Sequence, residues 1–86
     1  MTNDVPFTQV QKMLEGVGFR AADTRGVNHT FVHPQRDVRF VVPVFEGMVK
    51  SVYVSGMARL LDETGILDRD AFAGQLARAN GKVVHS

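Results

Sequence analysis

The sequence predicts an α+β domain in which two helices cover one face of a three-stranded antiparallel sheet, with a short C-terminal helix added. Changes of hydrophobic period carry that expectation. Apolar residues recur at three- and four-residue steps up to Val17, alternate between Phe19 and Val42, and return to the helical period from Ser55. Turns bearing glycine or proline separate the runs. A block of strands flanked by helices folds most simply as a layered α+β unit.

Phe7, Val10, Leu14 and Val17 share one stripe, which predicts a helix from Thr8 to Val17. Pro6 stands where a helix start tolerates a missing N–H, Thr8 is the expected N-cap, and Gly18 is the stop. Phe19 to Thr24 is expected as a short strand closed by Arg25-Gly26, and His29 to His33 as a second. Pro34-Gln35-Arg36-Asp37 is a turn by composition. Val38 to Val42, β-branched and aromatic, is the third strand, and Pro43 ends it or sits where no ladder donor is needed.

Glu46 to Ser51 is expected as a loop. From Ser55 a second helix carries Met57, Leu60, Leu61 and Thr64, with Gly65 as the stop. The last helix, about residues 68–80, has Asp68 as N-cap and Asp70 in its first turn, and it aligns Phe72, Leu76 and Ala79. Asn80-Gly81 closes it, and residues 81–86 are expected as a mobile tail. The resulting α-β-β-β-α order is similar to that of double-stranded-RNA-binding domains, although an arrangement alone carries no function. The other sheet face is left for solvent or a ligand.

The 86 residues are expected to form a single domain, with a core of about 7–66. At 44% hydrophobic and 22% charged residues, the chain is unlike a disordered one. The longest apolar run, Phe40 to Phe45, contains Pro43 and falls far short of the roughly 20 residues of a membrane span. Met1 to Asp4 show neither the basic nor the apolar region of a signal peptide, so a cytoplasmic location is expected. With no cysteine, disulfides and cysteine metal sites are excluded. The net charge of +1 is not that of a strongly basic nucleic-acid binder. Between Arg20 and Arg39, however, Arg20, Arg25, Arg36 and Arg39 outnumber Asp23 and Asp37.

Most chemical candidates fail on geometry. His29 and His33 would form a metal pair on a helix, but a strand holds them about 13 Å apart, so they cannot share one zinc. Gly16-Val17-Gly18 follows a helix rather than a strand and lacks the later glycine of a dinucleotide fingerprint. Ser51, Ser55 and Ser86 have no local acid–base pattern. Met13, Met48 and Met57 are expected as core filler. No metal or cofactor is expected.

What remains is a Gly turn leading into a strand that ends in a His-Pro corner. Gly26-x-x-His29-x-Phe31-x-His33-Pro34 is preceded by a helix ending at Gly18-Phe19. It is followed by Val42-Pro43-Val44-Phe45, then Arg59-Leu60-Leu61 with Gly65-Ile66, then Asp70-x-Phe72. In order and spacing these resemble the HicA toxin family over nearly the whole chain. The resemblance implies a small metal-independent endoribonuclease (mRNA interferase) of a type II toxin–antitoxin pair, partnered by a HicB-like antitoxin and acting on RNA.

One departure bears on activity. The family usually has Gly-Ser-His or Gly-Gly-His at the strand mouth, and that histidine is its proposed catalytic residue. Counted from Gly26, the position belongs to Asn28, with Val27 in the small-residue slot. A neutral imidazole takes a proton near neutral pH, whereas an amide does not titrate. The protein as written is therefore expected to be weak or inactive. Alternation puts Phe31, His29 and His33 under the helices and Asn28, Thr30 and Val32 on the open face. A stand-in role for His29 needs a bulge at the strand mouth. Arg39, which alternates away from Val38, Phe40 and Val42, is expected with Arg25 and Thr30 to contact RNA on the open face. The alternative is a non-catalytic RNA- or protein-binding module derived from the same fold.

Overall fold

The computed structural model describes residues 4–79. In chain order the elements are β1 (Val5–Pro6), α1 (Phe7–Gly16), β2 (Arg20–Arg25), β3 (Asn28–His33), β4 (Val38–Pro43), β5 (Met48–Val49), α2 (Ser51–Glu63) and α3 (Arg69–Ala79). Strands β2, β3 and β4 form the antiparallel sheet in that spatial order, and β1 pairs separately with β5. The expected α+β architecture is present, with α3 as the additional C-terminal helix.

One core joins the layers. Val10, Met13 and Leu14 from α1 meet Phe31 from β3, Val42 from β4, Met57 and Leu61 from α2, and Phe72 from α3. Phe31 is fully buried, and burying a side chain of that kind contributes about 1.5–3 kcal/mol. All these side chains come from one side of the sheet. That leaves the alternate residues of β3 and β4 facing away from the helices.

Three local expectations are corrected. The first helix begins at Phe7 instead of Thr8, and its N-cap residue is Pro6, with no side-chain cap. The Phe7 N–H donates instead to the Gly47 carbonyl at 2.8 Å, so a distant turn satisfies an orphan donor. The expected loop from Glu46 to Ser51 is instead a tight turn, with Glu46 and Gly47 both at positive φ, followed by β5 and the first residue of α2. The second helix therefore starts at Ser51, four residues ahead of the periodic signal at Ser55. Its cap comes from far along the chain, since the Ser51 N–H donates to Asp4 Oδ1 at 3.2 Å.

By contrast, Asp68 caps α3 as its sequence implies, accepting from the Ala71 N–H at 2.8 Å. The expected Asn80-Gly81 stop and the tail beyond it lie outside the described residues. Among the described residues, no helix is long and apolar enough to cross a membrane.

The corner between α1 and the sheet is held by His33, a buried polar residue. Its Nε2 lies 3.0 Å from the Val17 carbonyl, and its Nδ1 accepts the Arg36 N–H at 3.2 Å. Those partners require the tautomer with hydrogen on Nε2. The Phe19 ring meets the imidazole edge-on at 4.9 Å. His33 is thus a structural pin with neither nitrogen free.

Candidate functional site

The strand register builds the open face row by row. Across the sheet, Arg20 pairs with Val32 and Val32 with Arg39. Asp23 pairs with Thr30 and Thr30 with Val41, and Arg25 pairs with Asn28 and Asn28 with Pro43. Directly opposed residues point to the same side. Since Phe31 is buried beneath the helices, all three rows lie on the other face.

Asn28 is exposed at the mouth of β3. Gly26, at φ 59°, turns the chain from β2 into β3. The Val44 N–H donates to the Val27 carbonyl at 2.8 Å, so the end of β4 clips the turn in place. Arg25 stands opposite Asn28, but its Nε bonds Asp23 Oδ2 at 3.2 Å. That pair is well exposed, so it orients the guanidinium more than it stabilises the fold. Thr30 is half-buried in the middle row. Arg39 lies on the same face as Asn28, about 13 Å farther along β3 by strand rise.

His29 is turned the other way. The pairing of β3 with β4 runs without a break from Asn28 to His33, so there is no bulge at the β3 mouth to carry the ring across. The imidazole lies against Phe7, with ring centroids 4.4 Å apart, and its Nδ1 is 3.4 Å from Thr24 Oγ1. His29 and His33 occupy opposite ends of β3 with different partners. Among the described residues, no three histidine, aspartate or glutamate side chains gather as a metal site.

The bulge in this sheet lies elsewhere, in β2 between Ala21 and Asp23. It changes the membership of the open face. Strict alternation back from Arg25 would put Asp23 and Ala21 on the open side and Arg20 on the helix side. The inserted residue reverses the parity, and Arg20 joins the open face opposite Val32. No local signal in Arg20 to Arg25 marks the bulge, because the segment has neither a glycine nor an apolar alternation to break.

The apolar part of the surface adjoins this face. Val41 is 52% exposed on edge strand β4, and Val52 and Tyr53 of α2 are exposed beside it. These residues, with Phe40, Gly56 and Leu60, line a cleft of about 170 Å³ between β4 and α2. Comparison of the chain with protein-family models, with curated proteins and with solved structures finds no match in any of the three.

Proposed function

We propose that this chain is a HicA-like, RNA-directed toxin domain of a type II toxin–antitoxin pair. It works in the cytoplasm, is restrained by a HicB-like antitoxin, and has Asn28 where the family places its histidine. The observation that carries the reading is the position of Asn28. It is exposed at the strand mouth, on the face the helices leave open, opposite Arg25 and in line with Thr30.

A group there would meet the ribose–phosphate chain of an RNA lying along β3, with Thr30 and the Arg25 and Arg39 guanidinium groups as backbone contacts. Cleavage of the family's kind requires a base for the 2′-hydroxyl proton. The Asn28 amide accepts a hydrogen bond and orients that hydroxyl, but it takes no proton. The scaffold is then present while the titratable group is missing.

The second reading is a binding module that holds RNA or a protein without cutting. It is favoured by His29, whose ring packs on Phe7 instead of replacing the missing base. The experiment that separates them is Asn28→His, assayed for RNA cleavage with chelator present and for toxicity in cells lacking the antitoxin. Gain of cleavage by about 10²–10⁴-fold, the usual contribution of general acid–base catalysis, supports the toxin reading. A folded, inert Asn28→His protein supports the binding module.

A further inference from the structure

We propose that Arg20 and Arg39 form a two-cation clamp for the phosphodiester backbone of single-stranded RNA, closed across Val32; this assignment rests on the RNA-directed reading above. Arg20 on β2 and Arg39 on β4 both stand directly opposite Val32 on β3. They therefore flank one side chain on one face, two strand spacings or roughly 10 Å apart. Arg20 is there only because the β2 bulge reverses its parity, and re-aiming a side chain is a characteristic effect of a bulge.

Four other arginines have partners, and Arg78, also exposed without an ion pair among the described residues, stands on α3 and not on the sheet. Arg25 is bonded to Asp23, Arg59 to Glu63 and Arg69 to Asp62, while Arg36 donates to the Thr64 carbonyl. Arg20 and Arg39 are exposed and have no ion pair among the described residues. Two exposed guanidinium groups with no carboxylate partner among the described residues are suited to phosphate oxygens, whose geometry matches the guanidinium fork.

Val32, half-buried between them, provides an apolar floor for a ribose or base. Thr30 and then Asn28 follow on the same face, so a strand of RNA gripped at Val32 reaches Asn28 about 13 Å along β3.

The test is fluorescence anisotropy of a labelled single-stranded polyuridine RNA, in chelator, over a series of salt concentrations. The proteins are the full chain, Arg20→Gln, Arg39→Gln, the double variant, and Arg59→Gln, which removes equal charge from α2. Each clamp variant is expected to flatten the dependence of log affinity on log salt by about 0.7, and the double variant by about 1.4. Arg59→Gln is expected to leave the slope unchanged. Equal flattening by Arg59→Gln, or an unchanged slope in the double variant, overturns the clamp and leaves the RNA-directed reading standing. No RNA binding by the unmodified chain at low salt overturns both. Weakened antitoxin binding with unchanged RNA binding in the double variant assigns the arginine pair to an acidic protein surface and overturns the clamp.

Discussion

The imidazole of His33 occupies the space that a side chain on Gly18 would need. A Cβ built on Gly18 stands 2.6 Å from His33 Nε2, and the backbone there has φ 105°, a region that favours glycine. The close approach lets the Val17 carbonyl meet the ring at 3.0 Å, which ties the end of α1 to the end of β3. Two requirements, one steric and one conformational, thus converge on one residue.

Gly18→Ala is therefore expected to destabilise the fold by about 2–4 kcal/mol, combining backbone strain with loss of the Val17–His33 hydrogen bond. Thermal unfolding should show a midpoint lowered by about 10 °C or more. Adding His33→Ala opens space beside residue 18, so the double variant should lose less than the sum of the single losses. Strict additivity in denaturant titrations would show that the ring is not what the introduced methyl group meets.

Asp4→Ala removes the acceptor for the Ser51 N–H at the start of α2. The expected cost is about 0.5–1 kcal/mol, at the lower end for caps because the contact is exposed. Amide exchange should quicken at Ser51 and the next turn of α2, while α3, capped by Asp68, stays as before. Asp4→Asn keeps an acceptor oxygen and should recover most of the loss.

His29→Ala tests the assignment of faces. The ring packs on Phe7, so its removal should cost about 1 kcal/mol of stability, in the range of aromatic pairs. RNA affinity should be unchanged, and so should any cleavage gained by Asn28→His. If the protein with Asn28 already cleaves RNA and His29→Ala abolishes that activity, His29 is the base and the face assignment is wrong.

Val41, exposed beside the apolar cleft, and Val32, half-buried on the same face, mark the expected partner surface. On the proposed toxin reading, a HicB-like antitoxin is expected to cover them together with Asn28, because exposed apolar surface rimmed by polar residues marks interaction sites. Amide exchange with and without antitoxin should show new protection at Thr30, Val32 and Arg39. Protection confined to the helices would place the antitoxin elsewhere.

Where local chemistry governs, the sequence alone determines the outcome. Phe7, Val10 and Leu14 specify a helix by spacing, Asp68 caps α3, and the alternation from Asn28 to His33 puts Phe31 in the core and Asn28 outside. A two-residue period assigns faces for as long as it is unbroken, and on β3 it is unbroken. Other features were decided by contacts remote in sequence. Asp4 caps a helix beginning 47 residues later, and Val5 and Pro6 become a strand only by meeting Met48 and Val49. The open face itself depends on one inserted residue in β2. Without that bulge Arg20 belongs to the helix side, and with it Arg20 stands across Val32 from Arg39. Bulges arise from how two strands fit together over a core, a property of the assembled sheet that no single strand carries.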